Sequence, residues 1–132
     1  MRKLILLLLL IPLVSLGQTF DFKETETFPI FPGCENVKNK RKCFQKKMDT
    51  HIKNNFEYPS IYKENKIEGS AYVKFIIKKD STVSDIKARG SNIHFESSAI
   101  KIIEKLPNIV PGTISGKPVD VSFSIKIDYN MK

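Results

Sequence analysis

No apolar run in this sequence is long enough to make a comfortable membrane-spanning helix. The longest, residues 4–16, offers 13 positions interrupted by Pro12 and Ser15, whereas a spanning helix needs roughly 20. Histidine is nearly missing: His51 and His94 are the only imidazoles. No Gly-x-Ser-x-Gly elbow accompanies them, and the carboxylates are scattered among lysines rather than paired, so general-base, nucleophilic and paired-acid hydrolysis lack a sequence basis. Gly112-Thr113-Ile114-Ser115-Gly116-Lys117 imitates a phosphate-binding loop but is one residue short. Pro118 also stands where a metal-binding hydroxyl and an amide are needed. Tryptophan is absent, yet Phe, Ile, Val and Leu are plentiful enough for a core. Tyr58, Tyr62 and Tyr72 lie among basic residues; packing accounts for them without stacked bases. Internal repeats and low-complexity tracts are lacking too. These gaps point away from an enzyme, and no cofactor is expected.

The N-terminus carries a positive signal. Arg2 and Lys3 precede the apolar run, and Ser15-Leu16-Gly17 places small residues at the −3 and −1 positions before Gln18. Charged start, short apolar middle and small-residue exit describe a cleavable secretory signal peptide over residues 1–17. The rival is a retained inner-membrane anchor. No cysteine follows the run, which argues against lipid modification. Cleavage leaves 115 residues, enough for one domain, with 20 basic against 14 acidic residues and a formal charge of +6. Export to the periplasm argues against nucleic acid as a partner despite that charge. The basic residues read as a solvated surface that favours anionic envelope components.

Cys34 and Cys43 form an even pair at short spacing, which in an oxidising compartment points to a disulfide. Two alternatives stand beside it: a metal site completed by His51 and His94, which matches no compact zinc spacing, and a catalytic thiol.

Residues 18–36 read as an extended lead-in, because Pro29 and Pro32 exclude helix. The domain proper spans residues 37–132. A first helix starts near residues 38–40, with Phe44, Met48 and Ile52 on one stripe at i, i+4, i+8. Pro59 pushes Tyr58 toward an extended conformation and opens a short second helical turn. From Ile67 the period becomes two, with Ala71, Val73, Phe75 and Ile77 on one face. Lys79-Asp80-Ser81 turns into a second strand through residues 83–89, where Val83 is out of phase with Ile86 and Ala88, so a bulge or late start is expected. Phe95, Ala99, Ile102, Ile103 and Leu106 then mark a helix with Asn92 as its N-cap and Pro107 as its stop. Residues 119–129 alternate Val119, Val121, Phe123, Ile125, Ile127 and Tyr129 with polar positions. The predicted fold is α+β and two-layered: a three-stranded antiparallel sheet with two helices on one face.

That order of elements, with several local motifs, resembles the C-terminal domain of the TonB family, proteins that link inner-membrane energy to outer-membrane transporters. The matching stretches are Phe56-Glu57-Tyr58-Pro59, residues 67–77, Ala99-Ile100-Lys101-Ile102-Ile103, Leu106-Pro107, Pro111-Gly112 and Gly116-Lys117-Pro118-Val119-Asp120-Val121. Phe31-Pro32-Gly33-Cys34-Glu35 with Cys43 is similar to the cysteine-bearing lead-in of one branch. Three departures stand out. A full TonB has a membrane anchor and a long proline-rich spacer, whereas here the apolar N-terminus leads almost directly into the domain. Asp80-Ser81 replaces a frequent Asp-Gly turn, and Val110 replaces a frequent aromatic.

The resemblance implies capture of an extended segment of an outer-membrane transporter, or a related envelope protein, by strand addition beside the last strand. The expected partner-binding residues are Val119, Val121, Ser122, Phe123, Ser124, Ile125 and Lys126, with Phe56, Tyr58 and Pro59 orienting the peptide. Ser122 and Ser124 are small enough to admit a peptide, and Lys126 discourages uncontrolled pairing. Two alternatives remain. The same edge serves a homodimer, or it is simply covered by the lead-in or a second copy. No small-molecule substrate is expected.

Overall fold

The computed structural model describes residues 18–130; the expected signal peptide, residues 1–17, lies outside the described residues. In chain order the elements are β1 (Thr19–Asp21), a 3₁₀ turn (Phe22–Glu24), α1 (Lys40–Asn55), α2 (Ser60–Glu64), β2 (Gly69–Ile77), β3 (Val83–Gly90), α3 (Ile93–Glu104), β4 (Thr113–Ile114), β5 (Lys117–Pro118) and β6 (Asp120–Tyr129).

Period-two patterning places β2 at the centre. Ala71, Val73, Phe75 and Ile77 are fully buried on one face, while Tyr72 and Lys74 are exposed on the other. Antiparallel pairing with β6 runs without interruption from Gly69↔Tyr129 to Ile77↔Val121. On its other side β2 pairs antiparallel with β3, but partners jump from Lys74↔Lys87 to Ile76↔Ser84. The expected bulge is therefore present: Asp85 and Ile86 stand opposite Phe75 alone, and Asp85 takes φ 50°.

Both long helices cover the apolar face. Phe44 of α1 stacks on Phe123 at 4.9 Å, and Phe95 of α3 stacks on Tyr129 at 4.4 Å. Asn92 caps α3 as expected, its side chain accepting the amides of His94 and Phe95 at 3.0 and 2.9 Å. The helix ends before Pro107, and Lys105 and Leu106 donate to the carbonyls of Ile102 and Ile103. Pro59 sits at the N-cap of α2, one position earlier than the first helical residue.

The α+β class and the two-layer arrangement are as expected, but the sheet has four strands, in the order β1-β6-β2-β3, rather than three. The lead-in supplies the extra one: Thr19, Phe20 and Asp21 pair in parallel with Asp120, Val121 and Ser122. Further along, Ile30 bridges Val110 and Thr27 bridges Thr113, edge pairings of the kind that the prolines allow. The phosphate-loop imitator is a two-residue hairpin, β4–β5, turning through Ser115 and Gly116, both at positive φ. That geometry is a hairpin turn and leaves no cradle of convergent amides.

Candidate functional site: the outer edge of the last strand

Strand geometry decides which backbone groups of β6 are available. A residue's N–H and C=O point to the same side of an antiparallel strand, and successive residues alternate. The Ser91 amide donates to the Ser70 carbonyl and the Lys78 amide to the Thr82 carbonyl, so even-numbered residues of β2 face β3. Odd-numbered residues of β2 therefore face β6, where their partners are also odd-numbered. It follows that Asp120, Ser122, Ser124, Lys126 and Asp128 aim their backbone groups at the outer edge.

Two of these five positions are occupied. Asp120 and Ser122 lie alongside β1. Beyond β1, the stretch from Ser124 to Tyr129 has no strand on its outer side among the described residues, β2 lying on the inner one. At ~3.3 Å per residue that is about 20 Å of edge, a full strand's worth.

The floor beneath this edge is apolar. The α1 stripe runs along β6 from Phe44 against Phe123, and Phe56, the C-cap residue of α1, stacks on Tyr129 at 5.1 Å. Between helix and strand lies a groove of about 460 Å³, with Phe22, Phe28, Met48, Ile52 and Ile125 in its lining and Lys126 at its rim. Phe22, Phe28, Ile52 and Ile125 are each only half-buried. A strand added at Ser124–Lys126 would direct every second side chain into this groove, because side chains alternate across a sheet. Its remaining side chains would meet the outer face, where Lys126 stands over the Tyr72 ring at 5.8 Å and pairs with Asp128 at 3.5 Å.

The expected site residues are thus divided. Phe123, Ser124, Ile125 and Lys126 share the open edge and groove. Val121 is buried and Ser122 half-buried beside β1, while Val119 precedes β6 and donates its amide to Gly112. Phe56 and Tyr58 pack at the far end of β6, Tyr58 edge-on to Phe95 and Tyr129 at 5.8 and 5.9 Å. The Tyr58 hydroxyl donates to the Ile67 carbonyl, and its pKa is raised, first by burial and then by the Glu68 charge. Tyr58 and Pro59 line a separate, polar cleft with His94, Ser97 and Lys101. Asp128 and the groove residues Phe22, Met48 and Ile52 were not among the expected site residues. Met48 and Ile52 lie on a stripe that reads as ordinary core, and Phe22 carries no local signal.

Cys34 and Cys43 are joined, with Cα atoms 5.9 Å apart. The bridge rules out the metal and thiol alternatives for this pair. His51 is structural: its Nε2 meets the Ile102 carbonyl at 2.8 Å, and Asn55 reaches both its Nδ1 and its carbonyl. His94 packs edge-on to Tyr62 at 5.2 Å. Among the described residues no cluster of three or more His, Cys, Asp or Glu side chains could hold a metal, and no helix is long and apolar enough to cross a membrane.

Comparison with known proteins agrees with this architecture. Residues 54–131 match the family described as Gram-negative bacterial TonB protein C-terminal. Two solution structures of the Helicobacter pylori TonB C-terminal domain are similar. One has 28% identity over 74% of this chain and 87% of that one, with a TM-score of 0.55. The other has 26% identity over 67% of this chain and 95% of that one, with a TM-score of 0.50. No curated protein matches.

Proposed function

We propose, from the premise that this chain belongs to the Gram-negative bacterial TonB protein C-terminal family, that it is a periplasmic binding module capturing an extended segment of an outer-membrane transporter or related envelope protein by strand addition. The observation that carries the reading is the open edge at Ser124, Lys126 and Asp128, set directly above the half-buried groove between α1 and β6. Backbone groups on the edge supply affinity that is indifferent to sequence. The groove supplies selectivity for apolar residues at alternate positions. Delivery to the periplasm rests on residues 1–17 acting as a cleaved signal peptide, and mass spectrometry of the envelope form would show a start at Gln18.

Proline substitution tests the capture step. At Ser124 or Lys126 proline removes an outward amide and leaves the ladder to β2 intact, since those residues do not bond to β2. Synthetic peptides covering the extended N-terminal segments of outer-membrane transporters serve as probes, read by fluorescence anisotropy. Ser124→Pro and Lys126→Pro should each weaken binding at least about tenfold, the loss of one buried hydrogen bond or more. Unchanged affinity in both folded variants excludes this edge.

A homodimer through the same edge is favoured by one observation. Lys126 and Asp128 are exposed two residues apart, so antiparallel pairing of two copies about Ile127 sets each lysine opposite an aspartate. Light scattering separates the two readings: a dimer that Ser124→Pro dissociates supports assembly.

A further inference from the structure

We infer that residues 19–22 are a resident occupant of the partner's place on β6, which an incoming strand must displace to use the whole edge. This rests on the strand-capture reading above. In a parallel ladder a residue bonds to both neighbours of its partner. Phe20 is paired with Val121, so its amide and carbonyl span the outward groups of Asp120 and Ser122. The Asp21 amide confirms the alternation, since it turns away from β6 to the Glu24 carboxylate at 2.9 Å.

Side chains follow the same rule as an added strand. Thr19 and Asp21 are exposed, whereas Phe20 and Phe22 are half-buried and Phe22 packs against the core. Phe22 stacks on Phe123 at 5.0 Å, edge-on to Phe28 at 5.9 Å, and carries the Arg41 guanidinium over its ring at 5.2 Å. It walls one end of the groove that the functional reading assigns to the partner.

The attachment is built to release. Only three ladder positions hold it, and no residue from 18 to 24 is buried. Short edge strands held by so few contacts open at low cost. The 3₁₀ turn is self-sufficient through its capping box, Asp21 accepting from the Lys23 amide and Glu24 from the Asp21 amide. The tether is fixed downstream, where the Glu26 amide donates to Thr113 at 2.7 Å and the Thr27 and Thr113 hydroxyls meet at 2.7 Å. Residues 18–24 can therefore leave as a unit and return at high effective concentration. A partner with the same polar–apolar alternation then binds with an affinity reduced by the fraction of chains in which the edge is open.

The test uses the full chain as it is recovered from the envelope. Phe20→Pro removes the amide that faces Asp120. Thr19→Pro is the control, because the Thr19 amide, like that of Asp21, faces away from β6. The probe is a synthetic acetylated heptapeptide of residues 18–24, followed by fluorescence anisotropy, with circular dichroism and thiol titration confirming fold and bridge. The heptapeptide should bind the Phe20→Pro chain about tenfold or more tighter than the parent or Thr19→Pro chains. Equal binding to all three, or binding to none, overturns the inference. A Phe20→Pro chain that takes the heptapeptide but no transporter peptide upholds the occupant and removes the functional reading instead. Transporter peptides that bind parent and Phe20→Pro chains equally, and are lost in Ser124→Pro, uphold the reading and overturn the displacement.

Discussion

Breaking the Cys34–Cys43 bridge removes a constraint that closes a loop of about ten residues, and chain entropy values such a loop at about 2–3 kcal/mol. The bridge fastens the Phe31-Pro32-Gly33 bend to the first turn of α1. Cys34 is fully buried, and the Phe31 ring is edge-on to Phe44 at 5.9 Å. Opening it frees the lead-in mainly in the unfolded chain, so the native contacts should survive at lower stability. With a urea m-value of about 1–3 kcal/mol/M, the midpoint should fall by about 1–2 M on adding reductant. The melting temperature should fall by about 10 °C. Circular dichroism in urea with and without dithiothreitol measures both, and Cys34→Ala/Cys43→Ala should reproduce the reduced curve without responding to reductant. A midpoint that moves by less than about 0.3 M would refute the entropy argument. It would mean that the unfolded lead-in is already constrained, or that the bridge stores native strain equal to its benefit.

Asn92→Ala removes the acceptor for two orphan amides of α3 and should cost about 1 kcal/mol, seen as a lower denaturation midpoint with an unchanged m-value. Asp80 accepts from the Thr82 hydroxyl and amide at 2.6 and 3.0 Å, and these hydrogen bonds hold its carboxyl below the usual 3.8. A depressed folded pKa contributes stability that is present above pH about 3.8 and lost as pH falls through the folded value. Asp80→Ala should therefore be less stable than the parent near neutrality, and the two stability curves should converge in acid; parallel curves down to pH about 2 would contradict this.

Long periodic elements were legible from residue patterns because their burial is one-sided. The i, i+4, i+7, i+8 stripe of α3 ends fully buried at Phe95, Ala99 and Ile103, and the alternation of β6 matches its burial from Val121 to Tyr129 with Ile125 half-exposed. The phase error at Val83 foretold the bulge, because side-chain parity cannot change within a regular strand. The disulfide followed from an even cysteine pair at short spacing, read with the expectation of an oxidising compartment. What stayed hidden was tertiary. Three residues at 19–21 carry too little pattern to announce a strand, so cover of the β6 edge by the lead-in stood only as an alternative; they pair because that edge is presented to them. The groove likewise joins the lead-in, α1 and β6, three segments whose meeting no local period encodes. Ile52 and Ile125 look like core in sequence, and their half-exposure is the feature that marks the candidate site.

The central claim is that a partner strand adds at the outward groups of Ser124, Lys126 and Asp128. Amide hydrogen exchange resolved by residue, with and without a saturating transporter peptide, tests it most directly. These three amides, exposed to exchange in the free chain, should slow by at least about tenfold on binding, while Ile125 and Ile127, already bonded to β2, change little. Protection confined to the cleft around Tyr58 and Lys101, or no protection along β6 under saturating peptide, would contradict it.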